Sequence, residues 1–235
     1  KSIAALKAGL GKTLMERIVD SKPEVVTLLD TQYRMNEEIM RFSSSWFYDG
    51  KVKAAPITAH RGILDYDTPI EWVDDVANDD ETVGETFVGE TFGRINKVEA
   101  RQVMELLQAY FEKIGKQRII DESIDVGIIS PYRAQVQYLR HLIKKEAFFK
   151  PFRHLLSVNT VDGFQGQERD VIIVSLVRSN NDGQIGFLRD LRRMNVAMTR
   201  ARSKLIIIGD HETLAHHEFY KKLYEYIKKH KTDNF

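Results

Sequence analysis

The sequence contains no cysteine. This excludes a disulfide scaffold, a cysteine nucleophile and any zinc site built on thiolates. No apolar run approaches the roughly eighteen residues that a membrane-spanning helix needs, so we expect no membrane partner. The first residues lack the apolar core of a signal peptide and do not begin with Met. We therefore expect the chain to be a piece of a longer protein.

The sequence also has almost no net charge, because its 35 basic residues nearly balance its 34 acidic residues. The balance hides an uneven distribution. Ten acids and no Lys or Arg lie between Asp65 and Gly93, which leaves a formal charge of +11 on the remainder. A basic body suits a polyanion such as nucleic acid. The same charges are typical of an ordinary solvated surface, and composition alone favours this second interpretation.

The 235 residues, 43% of them hydrophobic, suffice for one large domain or two small ones. Short apolar runs predict buried strands at residues 25–29, 70–73, 125–129, 155–161, 171–177 and 205–208. Helical spacing of apolar residues predicts helices after Asn36, over 97–114, after Pro131, over 189–201 and over 218–229. This alternation predicts an α/β fold, a three-layer parallel sheet with helices on both faces. In such sheets we expect the chemistry at the carboxyl ends of the strands.

Residues 74–94 carry much of the acidic charge and contain V-G-E-T-F twice in succession, at 83–87 and 88–92. Two copies are too few for a repeat architecture. We interpret the stretch as a surface loop or a small hairpin.

Residues 9–13, G-L-G-K-T, end like a phosphate-binding loop. The full pattern needs a glycine where this chain has Leu6, and it needs a buried strand before the loop, which is not predicted here. The chain therefore has no true phosphate loop, and neither of its Asp-Glu pairs, at 80–81 and 121–122, directly follows a predicted strand as a Mg²⁺-binding pair would.

Three segments are candidates for chemistry. In Gln32-Tyr33-Arg34-Met35 the aromatic ring can stack on a base and the guanidinium can bind a phosphate, although such residues are also common in cores and surface ion pairs. Residues 159–168 contain two glycines, which would allow the backbone to approach a ligand closely. The alternative interpretation of this segment is a simple polar turn. In residues 192–202, Arg193 and Arg200 have helical spacing, which predicts a shared face. Basic helices are usually only solvated, but Arg200 immediately precedes a predicted buried strand.

The order of four motifs carries a resemblance. Q-Y-R-M at 32–35, S-P-Y at 130–132, V-D-G-F-Q-G-Q-E at 161–168 and N-V-A-M-T-R-A-R at 195–202 resemble the second RecA-like, C-terminal motor domain of superfamily 1 helicases. The closest branch contains the nonsense-mediated-decay RNA helicase and senataxin. The likeness runs from about Ala8 to Asp210. It implies a RecA-like P-loop NTPase fold over 25–235, preceded by a lead-in (1–24) from a missing first motor domain.

The resemblance also implies roles for single residues. Arg34 and Arg200 would reach the γ-phosphate of ATP. Tyr33 would stack near the adenine, Glu168 would lie near the ribose, and Gln165 would couple the nucleotide to nucleic acid. The nucleotide-binding set is Gln32, Tyr33, Gln165, Gly166 and Glu168, and the nucleic-acid set is Ser130, Pro131, Tyr132, Thr160 and Asn195. The family usually continues Q-Y-R-M with His-Pro, where this chain has Asn36-Glu37.

These roles imply an ATP-dependent helicase or translocase acting on single-stranded RNA or DNA. The cofactor would be ATP with Mg²⁺ held by the missing first domain, which would be the second partner. The isolated chain would be inactive, and the location would be intracellular, cytoplasmic or, in a eukaryote, nuclear. Two alternatives stay open, a non-catalytic nucleic-acid-binding α/β module and a regulatory α/β domain that binds a nucleotide and a protein.

Overall fold

The structure, a computed structural model, describes residues 2, 4, 11–75, 84–89 and 93–232. The chain divides into two compact units, Lys1–Thr31 and Gln32–Phe235. The helices are α1 (Leu14–Ser21), α2 (Glu37–Tyr48), α3 (Pro56–Ala59), α4 (Lys97–Ile114), α5 (Lys116–Asp121), α6 (Arg133–Lys145), α7 (Leu191–Met198), α8 (His211–Leu214) and α9 (Glu218–Thr232). The strands are β1 (Thr31–Gln32), β2 (Lys53–Ala54), β3 (Ile70–Val73), β4 (Thr86–Val88), β5 (Gly93–Ile95), β6 (Val126–Ile129), β7 (Leu156–Asn159), β8 (Arg169–Ser175) and β9 (Ala201–Ile208).

In the first unit, the strand predicted at residues 25–29 is wrong. Pro23–Val25 form a 3₁₀ turn instead, and Leu28 and Leu29 are 44% and 84% exposed. A strand needs a neighbour for its backbone N–H and C=O groups, and residues 25–29, all of which are described, pair with no other strand. Thr13, the last residue of the loop-like G-L-G-K-T, caps α1 together with Glu16 in a reciprocal capping box.

The second unit contains a five-stranded parallel sheet in the order β3-β9-β8-β6-β7. Each of these strands coincides with a predicted apolar run. Successive residues of the central strand β8 enter two different cores, because side chains alternate across a strand. Ile172 and Val174 pack with α2, α7 and α9 on one face, and Val171 and Ile173 pack with α4, α5 and α6 on the other. The predicted three-layer α/β fold is therefore confirmed.

The helix ends agree with ordinary capping chemistry. The Asn36 side chain accepts a hydrogen bond from the Glu38 N–H at the start of α2, and Asn96 does the same for Glu99 at the start of α4. α4 has the predicted bounds, 97–114. α7 is shorter than the predicted 189–201, because it begins after its cap Asp190 and ends at Met198.

The described part of the acidic stretch forms an antiparallel hairpin of β4 and β5, in which Phe87 lies opposite Arg94. The hairpin interpretation is confirmed for these residues. Residues 76–83 and 90–92, which hold part of the V-G-E-T-F repeat, lie outside the described residues. Within the described residues, no helix combines the length and apolar character needed to cross a bilayer, and no three His, Asp or Glu side chains are grouped to hold a metal ion.

Glu99 on α4 is fully buried at the end of β8. Its carboxyl accepts a hydrogen bond from the Ser175 hydroxyl at 2.5 Å and from the Val177 N–H at 2.7 and 2.9 Å to its two oxygens. Burial raises the pKa of Glu99 well above its ordinary value, and the nearby Asp75 and Asp210 act in the same direction while the two hydrogen bonds oppose it.

A raised carboxyl pKa in the folded state makes stability fall as the pH rises from the ordinary pKa toward the folded one, because the unfolded chain releases this proton first. We expect Glu99→Gln to flatten that decline, since an amide keeps an acceptor for Val177 and offers a donor to Ser175. Thermal unfolding midpoints between about pH 5 and pH 8 test this. Equal pH slopes in wild type and variant would contradict it.

Candidate functional site

The turn before α2 is built by one glutamine. The Gln32 side-chain oxygen accepts hydrogen bonds from the Arg34 and Met35 N–H groups at 2.8 and 2.7 Å, and its amide nitrogen donates to the Met35 carbonyl at 2.8 Å. The Gln32 amide is thus engaged by its own turn. Tyr33 projects from the turn with 69% exposure, as a stacking surface requires.

Arg34 leaves this turn and meets residues that are far away in sequence. Its Nε lies 2.5 Å from the Glu168 Oε2, and its Nη1 donates to the Thr199 carbonyl at 3.1 Å. Arg61 donates to the Arg34 carbonyl at 2.9 Å, which holds the backbone of the turn. The Arg34 and Glu168 side chains are 34% and 42% exposed, so solvent and a ligand can reach the pair.

Arg200 lies beside Arg34. Its Nε donates to the Val196 carbonyl at 3.0 Å and its Nη1 to the Gln167 carbonyl at 3.1 Å. Burial lowers the pKa of the Arg200 guanidinium, and the neighbouring Arg34 lowers it further, while Glu168 raises it. An arginine stays charged through such a shift. Glu168 is therefore the ion-pair partner of Arg34, and its charge acts on Arg200 without an ion pair between the two.

A second layer of ion pairs holds Glu168 in place. The Arg202 Nη1 lies 3.8 Å from Glu168, and its Nη2 lies 3.0 Å from both Asp125 and Asp170. We call Arg34, Arg200 and Glu168 the arginine rim. Sequence reasoning missed Arg61 and Arg202 as its supports, because nothing in their local sequence indicates these long-range contacts.

The arginine rim does not lie at the carboxyl ends of the strands, where the sequence predicts the chemistry. Glu168 immediately precedes β8 and Arg200 immediately precedes β9, and the two strands are parallel neighbours with Arg169 opposite Ala201. Both residues therefore lie at the amino ends. The expectation was wrong for the rim, since a residue just before a parallel strand can only lie at that end.

The shared face predicted for Arg193 and Arg200 is also wrong. α7 ends at Met198, so helical spacing no longer relates the two residues. The Arg193 guanidinium lies 3.4 Å from Asp162 and Arg200 turns to the rim.

The opposite end of the sheet carries a groove of about 840 Å³, which we call the strand-end groove. Pro131 follows β6 and Thr160 follows β7, and both line it. Tyr132 also borders the groove but is only 7% exposed. Ser130 is fully buried, and its hydroxyl accepts a hydrogen bond from the Tyr132 N–H at 3.4 Å. The structure thus brings Pro131, Tyr132 and Thr160 to one groove and places the Ser130 side chain beneath it.

Asn195 lies apart from this groove. Its side chain accepts a hydrogen bond from the Ser43 hydroxyl and donates to the Tyr48 hydroxyl at 3.4 Å, so it contacts α2.

The segment 160–168 connects the two ends of the sheet. It begins at Thr160 in the groove, where the Thr160 Oγ1 accepts from the Gly163 N–H at 3.4 Å, and it ends at Glu168 in the rim. Gln165 and Gly166 are exposed midway, and Gly166 has a φ of +80° that a side chain would strain. The strand-end groove and the arginine rim are therefore connected by nine consecutive residues, 160–168.

Comparison with known proteins decides the family. A protein-family profile described as "AAA domain" matches residues 10–212, most of the chain. The chain belongs to this family, the C-terminal motor region of superfamily 1 helicases. An uncharacterised ATP-dependent helicase of Methanocaldococcus jannaschii is 37% identical over 228 residues, which cover 93% of this chain and 32% of that protein.

Two eukaryotic relatives place the chain in its branch. A regulator of nonsense transcripts 1 homolog of Neurospora crassa is 34% identical over 95% of this chain and 20% of its own length. The helicase SEN1 of Saccharomyces cerevisiae is 36% identical over 86% of this chain and 9% of its own length. The predicted resemblance to the branch of the nonsense-mediated-decay helicase and senataxin is confirmed. This superfamily 1 helicase region spans a third or less of each of these relatives.

Proposed function

We propose that this chain is the C-terminal motor domain of an ATP-dependent helicase or translocase that acts on single-stranded RNA or DNA. Its arginine rim would contact ATP bound in a cleft with a first RecA-like domain outside this chain. The observation that carries the proposal is the contact of Arg34 with Glu168, 134 positions away, and with the Thr199 carbonyl next to Arg200, whose pKa the charges of both Arg34 and Glu168 affect.

The chemistry of phosphoryl transfer explains why two arginines are useful there. The transition state spreads negative charge over the γ-phosphate oxygens, and a planar guanidinium can donate two hydrogen bonds to them. Because the rim holds two guanidinium groups against one carboxylate, an incoming polyphosphate completes its charge balance. ATP would thereby draw Arg34 from Glu168 toward the phosphate.

The remaining nucleotide contacts are proposed from the resemblance, and the exposure of the residues is compatible with them. Tyr33 is exposed beside Arg34 and would stack near the adenine, and Glu168 would reach the ribose once Arg34 turns away. Gln32 would act by shaping the turn, while Gln165 and Gly166 are exposed between rim and groove. Mg²⁺ would be held by the first domain and would neutralise phosphate charge during hydrolysis.

Single-stranded nucleic acid would lie in the strand-end groove against Pro131, Tyr132 and Thr160, with Ser130 supporting the groove from beneath. Asn195 would act indirectly, by holding α7 against α2. Hydroxyl and amide donors grip phosphates without reading base identity. The M. jannaschii and S. cerevisiae relatives are named helicases, which supports this partner class. Hydrolysis would open the domain cleft and move the strand, in the 5′→3′ direction by resemblance, inside the cytoplasm or nucleus.

Binding of a labelled single-stranded oligonucleotide by the protein that carries this chain and its first motor domain tests the proposal. We expect binding that weakens with salt and changes when ATP is added. A non-catalytic nucleic-acid-binding module would show the salt dependence without an ATP effect. A regulatory nucleotide-binding domain would not bind the strand, and either result would contradict the motor function.

A further inference from the structure

Among the described residues that line the strand-end groove, Phe187 is the exposed aromatic one. It is 67% exposed, and its ring centroid lies 5.8 Å from that of Tyr132 at an angle of 50°. Tyr132 itself is 7% exposed, so no base can stack on its ring. Among the described lining residues, the aromatic ring that a base can reach is therefore that of Phe187. It packs against Tyr132, the tyrosine of the S-P-Y motif.

A buried ion-pair network fixes the position of this ring. Arg178, whose side chain is 5% exposed, contacts Glu85 at 2.7 Å, and Glu85 contacts Arg94 of β5 at 2.6 Å. Gly186 has a φ of +54° and lies so close to the Arg178 guanidinium that a Cβ would clash. The residue before Phe187 thus packs closely against Arg178, and the same arginine is linked through Glu85 to the β4–β5 hairpin.

The hairpin and the ring face one groove. Val88, Gly89, Gly93 and Arg94 of the hairpin region line it together with Phe187. Three arginines, Arg94, Arg133 and Arg193, and a single acid, Asp162, are among its lining residues. Arg94 is paired with Glu85 and Arg193 with Asp162, so among the described lining residues Arg133 is the arginine left to bind a phosphate, and an exposed aromatic ring suits an unpaired base.

We propose that Phe187 is the stacking platform for a base of single-stranded nucleic acid in this groove, with the β4–β5 hairpin as the wall that guides the phosphates. This inference rests on the proposed function and adds to it residues that the motifs do not indicate. Bases in a duplex are already stacked on each other, so the platform selects an unpaired strand. Stacking is tolerant of base identity, so we expect no strong sequence preference.

The test measures binding by the protein that carries this chain and its first motor domain. The probes are a labelled oligothymidylate and an abasic strand of the same length. Phe187→Ala is expected to weaken binding of the oligothymidylate on the order of 10-fold and to leave the abasic strand unaffected. Phe187→Trp keeps the ring and should restore the affinity. Arg133→Gln should weaken both strands alike and lower the slope of log affinity against log salt by about 0.7.

Tyr66→Ala is the matched control, because Tyr66 is a fully exposed aromatic residue outside the groove. It should change neither affinity. The inference is overturned if Phe187→Ala binds the oligothymidylate like wild type, or loses the same factor for both strands. If the wild-type protein binds neither strand, the proposed function itself fails, so the two failures are distinguishable.

Discussion

Arg200→Ala, in the protein that carries both motor domains, is expected to lower the rate of ATP hydrolysis by about 10³- to 10⁵-fold. The physical reason is that a guanidinium facing the γ-phosphate stabilises charge that develops only in the transition state. Arg34→Ala should act in the same direction, because Arg34 contacts the Thr199 carbonyl next to Arg200 and its charge acts on the Arg200 guanidinium. Steady-state ATP turnover with saturating single-stranded oligonucleotide measures both effects.

Controls separate this loss from a loss of structure. Arg200 donates hydrogen bonds only to backbone carbonyls among its described partners, so its removal should shift the thermal unfolding midpoint little. Arg200→Lys keeps the charge without the planar fork and should recover only part of the rate. Arg153→Ala removes an exposed arginine distant in sequence from the rim and should hydrolyse ATP like wild type. Wild-type rates in both Arg34→Ala and Arg200→Ala would remove the assignment.

The chain by itself is expected to show no measurable ATP hydrolysis and no duplex unwinding. Its sequence has no complete phosphate-binding loop. Of the residues in G-L-G-K-T, Thr13 caps α1 and the Lys12 ammonium forms an ion pair with Asp20 at 2.5 Å. Arginines that stabilise a transition state cannot act where nothing else binds and orients the triphosphate. Turnover by the purified chain, measured by phosphate release, tests this.

Addition of the first motor domain as a separate polypeptide sharpens the same experiment. Turnover should appear on mixing and should be lost again when the added chain carries Arg200→Ala. The contrary result is substantial hydrolysis by this chain alone that disappears in its own Arg200→Ala variant, which would show that a complete site lies within these residues.

Local patterns predicted most of the fold. Each of the five strands of the sheet contains a short apolar run that is buried between helices on both faces, which is typical of a parallel sheet. α4 has its predicted bounds because Asn96 caps one end and Gly115 ends the other. Local patterns were wrong where a partner was needed, as at residues 25–29, which are apolar but pair with no strand.

The site was predictable only in part. Tyr33, Arg34 and Arg200 came from motifs, and Pro131 and Thr160 from the same source do line one groove. The sequence does not indicate a binding role for Phe187, because an aromatic residue in a glycine-containing turn forms no recognisable motif. Its role becomes apparent only from its exposed ring, which covers the buried Tyr132. The supports Arg61, Arg178 and Arg202 were missed for the same kind of reason, since each acts through residues remote in sequence.

The sequence by itself determined the α/β class, the bounds of α4 and the family to which the motifs belong, because these depend on periodicity and on residues that are close along the chain. Only the tertiary structure decided that Arg34 meets Glu168 and that the arginine rim lies at the amino ends of β8 and β9, opposite the strand-end groove. The order and direction of the strands decide which residues meet at each end of the sheet. Packing over the whole sheet sets both, and no local segment of sequence contains that information.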